Sequence, residues 1–380
     1  MKVLLIFSWL FFYFFNISAQ AQTSPYLDSQ AKTKSTPKVE IIPLSNEKTQ
    51  PRGFFMNKEP AEANLQSGKY VDKIRQRGKV RCGTNLQLKS YAYYEDGDWH
   101  GIDADVCKAL ALAIIGNDKQ IEMINITAGE LVNALNTEKV DVMLSGVPFF
   151  AGLETSDQIN IATVLYYEPQ LLMVAEGMSK NIADYKGQKI CIATGSDYYR
   201  NFDAFNAAKH LDSKYLSYAD MTKVKEAFLL KRCQMVTGGA LFLNGMKKAL
   251  SKGKPTILPI SIAISPVYAL VSGNNAEFGK TTRWIINGLL LAEQYDINRR
   301  NLSFYTEHHN QEVRNLMGDE PQMWQNMGLR AKWISDAINS IGNYGDIYER
   351  NIGKDSDFKL PRNRNKLLKN GGILYPQPFM

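Results

Sequence analysis

Few residues in this chain combine a reactive type with a setting that could use it. The loop SGVPFFAGLETSD, residues 145–157, follows the apolar run VDVML. Ligands in open α/β sheets bind outside the carboxyl ends of strands, so this loop is placed to bind. Its content is unusual for the task. Phe149 and Phe150 stand side by side, and Glu154 is the first charge before Asp157. A second candidate, Thr194-Gly195-Ser196-Asp197, lies between a strand pattern and a helix pattern. Backbone N–H groups at such a helix start can hold an anion, for example a ligand carboxylate; Ser and Asp are also ordinary N-caps. Tyr91, Tyr93 and Tyr94 could stack on a ligand or cover a cation, or simply pack beneath their loop. Asp103 and Asp105, in GIDAD, form a carboxylate pair of the kind acid–base chemistry uses. At a helix start they read better as first-turn acids that cap the helix and offset its dipole.

Motifs of catalysis are missing from the sequence. It contains no G-x-S-x-G, no H-E-x-x-H, no P-loop and no G-x-G-x-x-G after a strand. The expectation is therefore a protein that is not an enzyme and carries no cofactor. The four Cys (82, 107, 191, 233) have no C-x-x-C spacing, and the four His (100, 210, 308, 309) do not cluster with them. No metal site is expected. An even number of Cys in an exported chain reads as disulfides, and the pairing that stays local is Cys82–Cys107 and Cys191–Cys233. Free buried thiols are the rival reading.

The elements that must position these residues follow from periodicity. Lys79 to Gly83, Ile121 to Ile126 and Val140 to Leu144 read as strands, with helices over Asp103 to Ile115 and Ala128 to Asn136. Gln170 to Ala175, Lys189 to Ala193, Met235-Val236, Ile257 to Ile264 and Val267 to Val271 form a second strand series. Thr194-Gly195-Ser196-Asp197 opens a helix through Ala208, and further helices are read over Lys223 to Leu230 and Phe278 to Glu293. Strand and helix alternate, which predicts βαβ units and a mainly parallel sheet. Asp96 to Gly101 reads as a turn cluster.

Bulk properties set the class. A chain of 380 residues with 44% hydrophobic and 22% charged content suits two lobes of ordinary globular protein. The net charge of +7 is spread along the chain, which argues against nucleic-acid binding. MKVLLIFSWLFFYFFNISAQA has a positive start, an apolar core and a small-x-small end, so residues 1–21 read as a secretory signal peptide. Residues 22–68 are polar, Pro-bearing and aperiodic, and read as a flexible extension. Lobe 1 is then expected over 69–167, lobe 2 over 168–267, and a return to lobe 1 with a helical C-terminal extension over 268–380.

Several stretches together resemble a known family. VRCG, GIDADVCKALALAIIGN, LVNALNTEKVDVMLSG, KICIATGSD, KRCQMV and the terminal IGNYGDIYERNIGKDS…GGILYPQPF are similar to solute-binding protein family 3. Within it they resemble the general L-amino-acid-binding proteins of polar amino-acid ABC transporters, which also carry Cys at these four positions. The resemblance spans about residues 70–380. It implies an α/β, two-lobed, type II periplasmic-binding-protein-like fold with a hinge between the lobes. It also implies a monomer in the periplasm that closes on an amino acid and presents it to an ABC permease in the inner membrane.

The resemblance also implies two charge anchors, and both are missing here. The family's carboxylate-pairing Arg falls on Glu154, or on Leu153 with a slip of one, and no Arg lies between Arg81 and Arg200. Pro148 and Phe149 replace small hydroxyl residues in this loop. The ammonium-pairing Asp falls on Gly239, and no Asp lies between Asp220 and Asp296. Each charge-assisted contact is worth about 1.5–3 kcal/mol, so losing two costs roughly two to four decades in affinity. The candidate cleft set is Tyr91, Gly146, Phe149, Glu154, Thr194, Ser196 and Gly239. Three readings follow: an uptake protein with a non-standard pocket, a clamp repurposed to a cationic or aromatic ligand, or a ligand-free sensor or scaffold.

Overall fold

The computed structural model describes residues 68–379, apart from 87, 88, 90, 146–154, 156, 251–253 and 306. The expected signal peptide and nearly all of the extension lie outside the described residues, as do Gly146, Phe149 and Glu154.

One eight-stranded sheet runs through the molecule. Its strands are β1 (Val80–Thr84), β4 (Ile121–Asn125), β5 (Val142–Met143), β6 (Ile159–Val174), β7 (Lys189–Ala193), β8 (Lys214–Tyr218), β9 (Met235–Gly239) and β10 (Thr256–Ser272). The order is β4-β1-β5-β10-β6-β9-β7-β8. The outer strands obey the parallel rule: β1 pairs β4 and β5, and β7 pairs β8 and β9, all in parallel. The two central strands do not. β10 and β6 run antiparallel from Ser272↔Ile159 to Thr256↔Val174, and β6 also runs antiparallel to β9. The prediction of a mainly parallel sheet thus fails at the centre, and the two strands read over 257–264 and 267–271 are one strand of 17 residues. Ser265 and Pro266 suggested a break; Pro266 sits within the antiparallel ladder opposite Tyr167. The turn cluster is a small hairpin of β2 (Tyr93–Glu95) and β3 (Asp98–His100), turned by Asp96 and Gly97 at φ 51° and 81°.

Apolar cores form on both sides of the central pair. Buried residues from 70–166 and 269–379, joined by Leu241, make one core, and a satellite gathers under the helix Leu131–Asn136. Two further clusters draw only on residues between Leu171 and Ile262. Each side carries one disulfide. Cys82–Cys107 ties β1 to the helix Ile102–Ile114, and Cys191–Cys233 ties β7 to the turn before β9. The helix Ile102–Ile114 is buried along its whole length, so its polar residues need partners. Lys108 donates to the Trp99 carbonyl at 2.7 Å and to Asp98 at 3.0 Å. Asp105 accepts from Arg350 and Asn351, both at 2.6 Å.

Those last bonds hold the C-terminal segment, which in turn grips β6. The register shifts between Val267 and Tyr268, leaving Leu165 opposite no residue. A bulge frees backbone groups, and buried ones must find other partners. The Tyr344 hydroxyl donates to the Leu165 carbonyl at 2.5 Å. Two residues on, the Asn365 amide brackets Tyr167: its Oδ1 accepts the Tyr167 N–H at 2.6 Å and its Nδ2 donates to the Tyr167 carbonyl at 2.8 Å. Arg362, paired fork-to-fork with Glu293 at 2.5 and 3.1 Å, lies over the rings of Tyr344 and Tyr348. Replacing Asn365 by Ala strips both bonds from Tyr167 and should lower stability by about 2 kcal/mol. The check is a urea midpoint that falls with an unchanged slope; an unshifted midpoint would show that the bracket contributes nothing.

Candidate functional site

The site lies where β6 passes from one lobe to the other. Side chains two apart on a strand share a face, so Tyr166, Glu168 and Gln170 project together. Tyr166 and Glu168 are buried, at 2% and 7% exposure. Glu168 Oε1 accepts the Leu241 N–H at 2.9 Å, in the first turn of the helix Ala240–Lys248. Its Oε2 lies 3.5 Å from the Tyr91 hydroxyl, the outer limit of a hydrogen bond. Burial pushes the Glu168 carboxyl up to about 7, against the Leu241 and Tyr91 bonds that favour its ionised form.

A second buried carboxylate acts on the same tyrosines, Tyr91 and Tyr166. Asp103, fully buried, accepts from Thr84 at 2.5 Å and from the Ser145 hydroxyl and N–H at 2.6 and 3.1 Å. The Ser145 hydroxyl continues to Tyr166 at 3.4 Å. Burial raises the Asp103 carboxyl to about 7 despite these three bonds. Tyr91, Tyr166 and Tyr198 are raised chiefly by burial and then by the nearby Glu168. Neither Asp103 nor Glu168 has a salt bridge among the described residues. The cluster is therefore two carboxylates and five hydroxyls, those of Thr84, Ser145, Tyr91, Tyr166 and Tyr198, with no cation among the described residues.

Gln170 fixes the far side. It donates to the Tyr198 carbonyl and to Thr237, both at 2.9 Å, and accepts from Asn201 at 3.0 Å. This holds the start of the helix Asp197–Ala208 against β9, where the Gly239 N–H meets the Tyr198 hydroxyl.

The sequence candidates fare unequally. Tyr91 and Gly239 converge on Glu168. Thr194 is exposed, and its N–H is spent on the Tyr218 carbonyl. Ser196 is the N-cap of its helix, accepting from the Tyr199 N–H at 3.2 Å and donating to the Ala193 carbonyl at 2.7 Å. Asp197 pairs with Arg200. The capping reading of this turn is the one the bonds support. For Asp103 and Asp105 the opposite holds: the N-cap of their helix is Gly101, and no side chain caps it. Both carboxylates reach out to other segments instead. Glu168 was not singled out from sequence, although one acid inside the run INIATVLYYEPQLLMV is a visible signal. Among the described residues no group of His, Cys, Asp and Glu is arranged to hold a metal ion, and no helix is long and apolar enough to cross a membrane.

Two lobes sharing a central strand pair, with a polar cluster buried where that pair crosses between them, define a two-lobed solute-binding clamp. The chain belongs to the bacterial extracellular solute-binding proteins, family 3, which it matches over residues 80–365. It is similar to the general L-amino acid-binding periplasmic protein of Rhizobium johnstonii, 27% identical over 83% of this chain and 94% of that one. The glutamate/glutamine/aspartate/asparagine-binding protein of Rhodobacter capsulatus is 29% identical over 83% and 95%. Among solved structures, a periplasmic binding protein of an ABC transporter from Brucella ovis with glutathione bound superposes at a TM-score of 0.76. It is 28% identical and is matched over 81% of this chain and 98% of that one.

The raised carboxyls carry a pH signature. A carboxyl raised by folding binds its proton more tightly in the native state, so stability is greatest in acid and falls as pH climbs from the unfolded value through about 7. Relative to Glu168→Gln, the wild type should lose roughly 2–3 kcal/mol of unfolding free energy between about pH 5 and about pH 8. Urea titrations at each pH measure this. A difference that does not vary with pH would mean that Glu168 does not titrate there.

Proposed function

We propose that this protein is the solute-capturing component of an ABC-type amino-acid uptake system. It is exported by residues 1–21, works as a monomer in the periplasm, and hands its cargo to an inner-membrane permease. Its ligand is a small solute with a primary ammonium group, held between the lobes at Tyr91, Asp103, Glu168, Tyr198 and Gly239. The observation that supports this is the buried cluster of Asp103 and Glu168, which has hydroxyl and N–H donors but no cationic partner among the described residues. A desolvated carboxylate gains most from a cation brought to it. The amino-acid-binding relatives and the glutathione-bound neighbour support the ligand size and the ammonium. Those relatives are named as binding proteins, and the same role, without catalysis, is assigned here.

A second reading keeps the ammonium and drops the ligand carboxylate. The absence of any Arg between Arg81 and Arg200 favours it, since a carboxylate prefers a guanidinium fork. Thermal unfolding against the protein L-amino acids, glutathione, putrescine and succinate separates the two. A true ligand at about 100 times its Kd stabilises by roughly 2.7 kcal/mol, a shift of several degrees. Amino acids or glutathione should produce it if the ligand is a zwitterion, and putrescine alone if it is a plain amine. Stabilisation by succinate and by no amine would overturn both.

A further inference from the structure

We propose that Glu168 is the residue that receives the ligand's ammonium group, and that position 239 is a glycine because the Glu168 carboxylate occupies its side-chain volume. The proposal rests on the amine-binding reading above and names the group that carries it.

The steric part comes from the geometry at Gly239. Its backbone is ordinary, at φ −61° and ψ 149°, so no conformational demand selects glycine. The demand is space. A Cβ there would lie 2.5 Å from Glu168 Oε1, 2.6 Å from Cδ and 2.7 Å from Oε2. Gly239 pairs with Gln170 on β6, which brings the Glu168 side chain down over it. The carboxylate thus enters the cleft from the crossing strand and lies against the end of β9.

The binding part comes from how the two oxygens are used. Oε1 is engaged by the Leu241 N–H at 2.9 Å, which fixes the carboxylate and places it at a helix N-terminus, where negative charge is favoured. Among the described residues Oε2 has only the Tyr91 hydroxyl at 3.5 Å, which leaves it able to accept a stronger donor. The titratable groups facing Glu168 come from four elements: Tyr91 after β1, Tyr166 on β6 itself, Tyr198 on the Asp197–Ala208 helix, and Tyr348 on the Tyr344–Asn351 helix. None of these is a cation. The complement the site lacks is a positive charge.

The competing explanation is that Glu168 only caps the Ala240–Lys248 helix. Isothermal titration of L-glutamine, glutathione and putrescine decides between them. Glu168→Gln keeps the shape and should weaken a probe that binds the wild type by about 10- to 100-fold. Wild-type affinity should fall about tenfold from about pH 8 to about pH 6, as the carboxyl takes its proton, and the Gln variant should lose this slope. The double variant Glu168→Ala with Gly239→Asp grows a carboxylate from position 239 into the vacated volume, and should recover most of the affinity that Glu168→Ala loses. A probe that binds the wild type and Glu168→Gln equally, with the same pH slope, would reduce Glu168 to a helix cap and leave the amine-binding reading standing. If no probe binds the wild type, that reading and the ammonium role fall together. The steric claim is tested without ligand. Gly239→Ala should destabilise the wild type but not Glu168→Ala, and an equal cost in both backgrounds would overturn it.

Discussion

The antiparallel pairing of β6 with β10 is the interaction on which the other features hang. Both strands are long enough to serve two lobes, at 16 and 17 residues. One end of the pair meets β5 at Leu270, and the other meets β9 along residues 170–174. Every parallel unit on either side is therefore attached through this ladder, which keeps an unbroken register across the crossing, from Ala263↔Gln170 to Val267↔Tyr166, with its shifts to either side. Tyr166 closes the larger core at this point, and Glu168 and Gln170 follow it on the same face of the strand, so the crossing strand itself supplies the polar groups of the candidate site.

Burying carboxylates there is costly, and the structure shows how the cost is contained. Hydrogen bonds from Thr84 and Ser145 to Asp103, and from Leu241 to Glu168, satisfy oxygens without cancelling charge. Elsewhere the same chain does neutralise its buried acids. Asp105 meets Arg350, Glu293 meets Arg362, and Asp141 meets Arg77. The contrast is local and chemical. Acids that hold segments together are given a guanidinium, whereas the two acids at the crossing are given neutral donors only. A neutral donor holds a carboxylate in place while leaving its charge to be met by something else.

Much of the architecture was legible in the sequence, because it rests on local patterns. The periodicity of DADVCKALALAII, the alternation of strand and helix, and the even Cys count each report a short stretch and its immediate packing. The family motifs added the two-lobed plan. What escaped was non-local. The continuity of β10 through Ser265-Pro266 depends on a partner strand a hundred residues earlier. Asp103 looked like a first-turn acid because its neighbours in sequence form a helix, yet its partners are Thr84 and Ser145 on other segments. Glu168 stands out in the sequence only as one acid in an apolar run, which matches no motif. Its meaning appears only when Gly239, seventy-one positions later, is seen to lie beneath its carboxylate.

The C-terminal segment gives the crossing strand an asymmetric support. Tyr344 and Asn365 bond the backbone of Leu165 and Tyr167, on either side of Tyr166 and next to Glu168. The same segment is fastened to the Ile102–Ile114 helix through Arg350 and Asn351, and to the Ala276–Gln294 helix through Arg362. All of these belong to the larger core. On the side of the smaller lobe, Glu168 is held by one N–H from Leu241, and Gln170 by side chains of Thr237 and Asn201. Beyond Glu168 the strand is carried by its backbone ladder to β9, from Gln170↔Gly239 to Val174↔Met235. Glu168 therefore stands between a stretch bracketed by the C-terminal segment and a stretch paired with β9. Its carboxylate answers to both, through the Tyr91 hydroxyl on one side and the Leu241 N–H on the other.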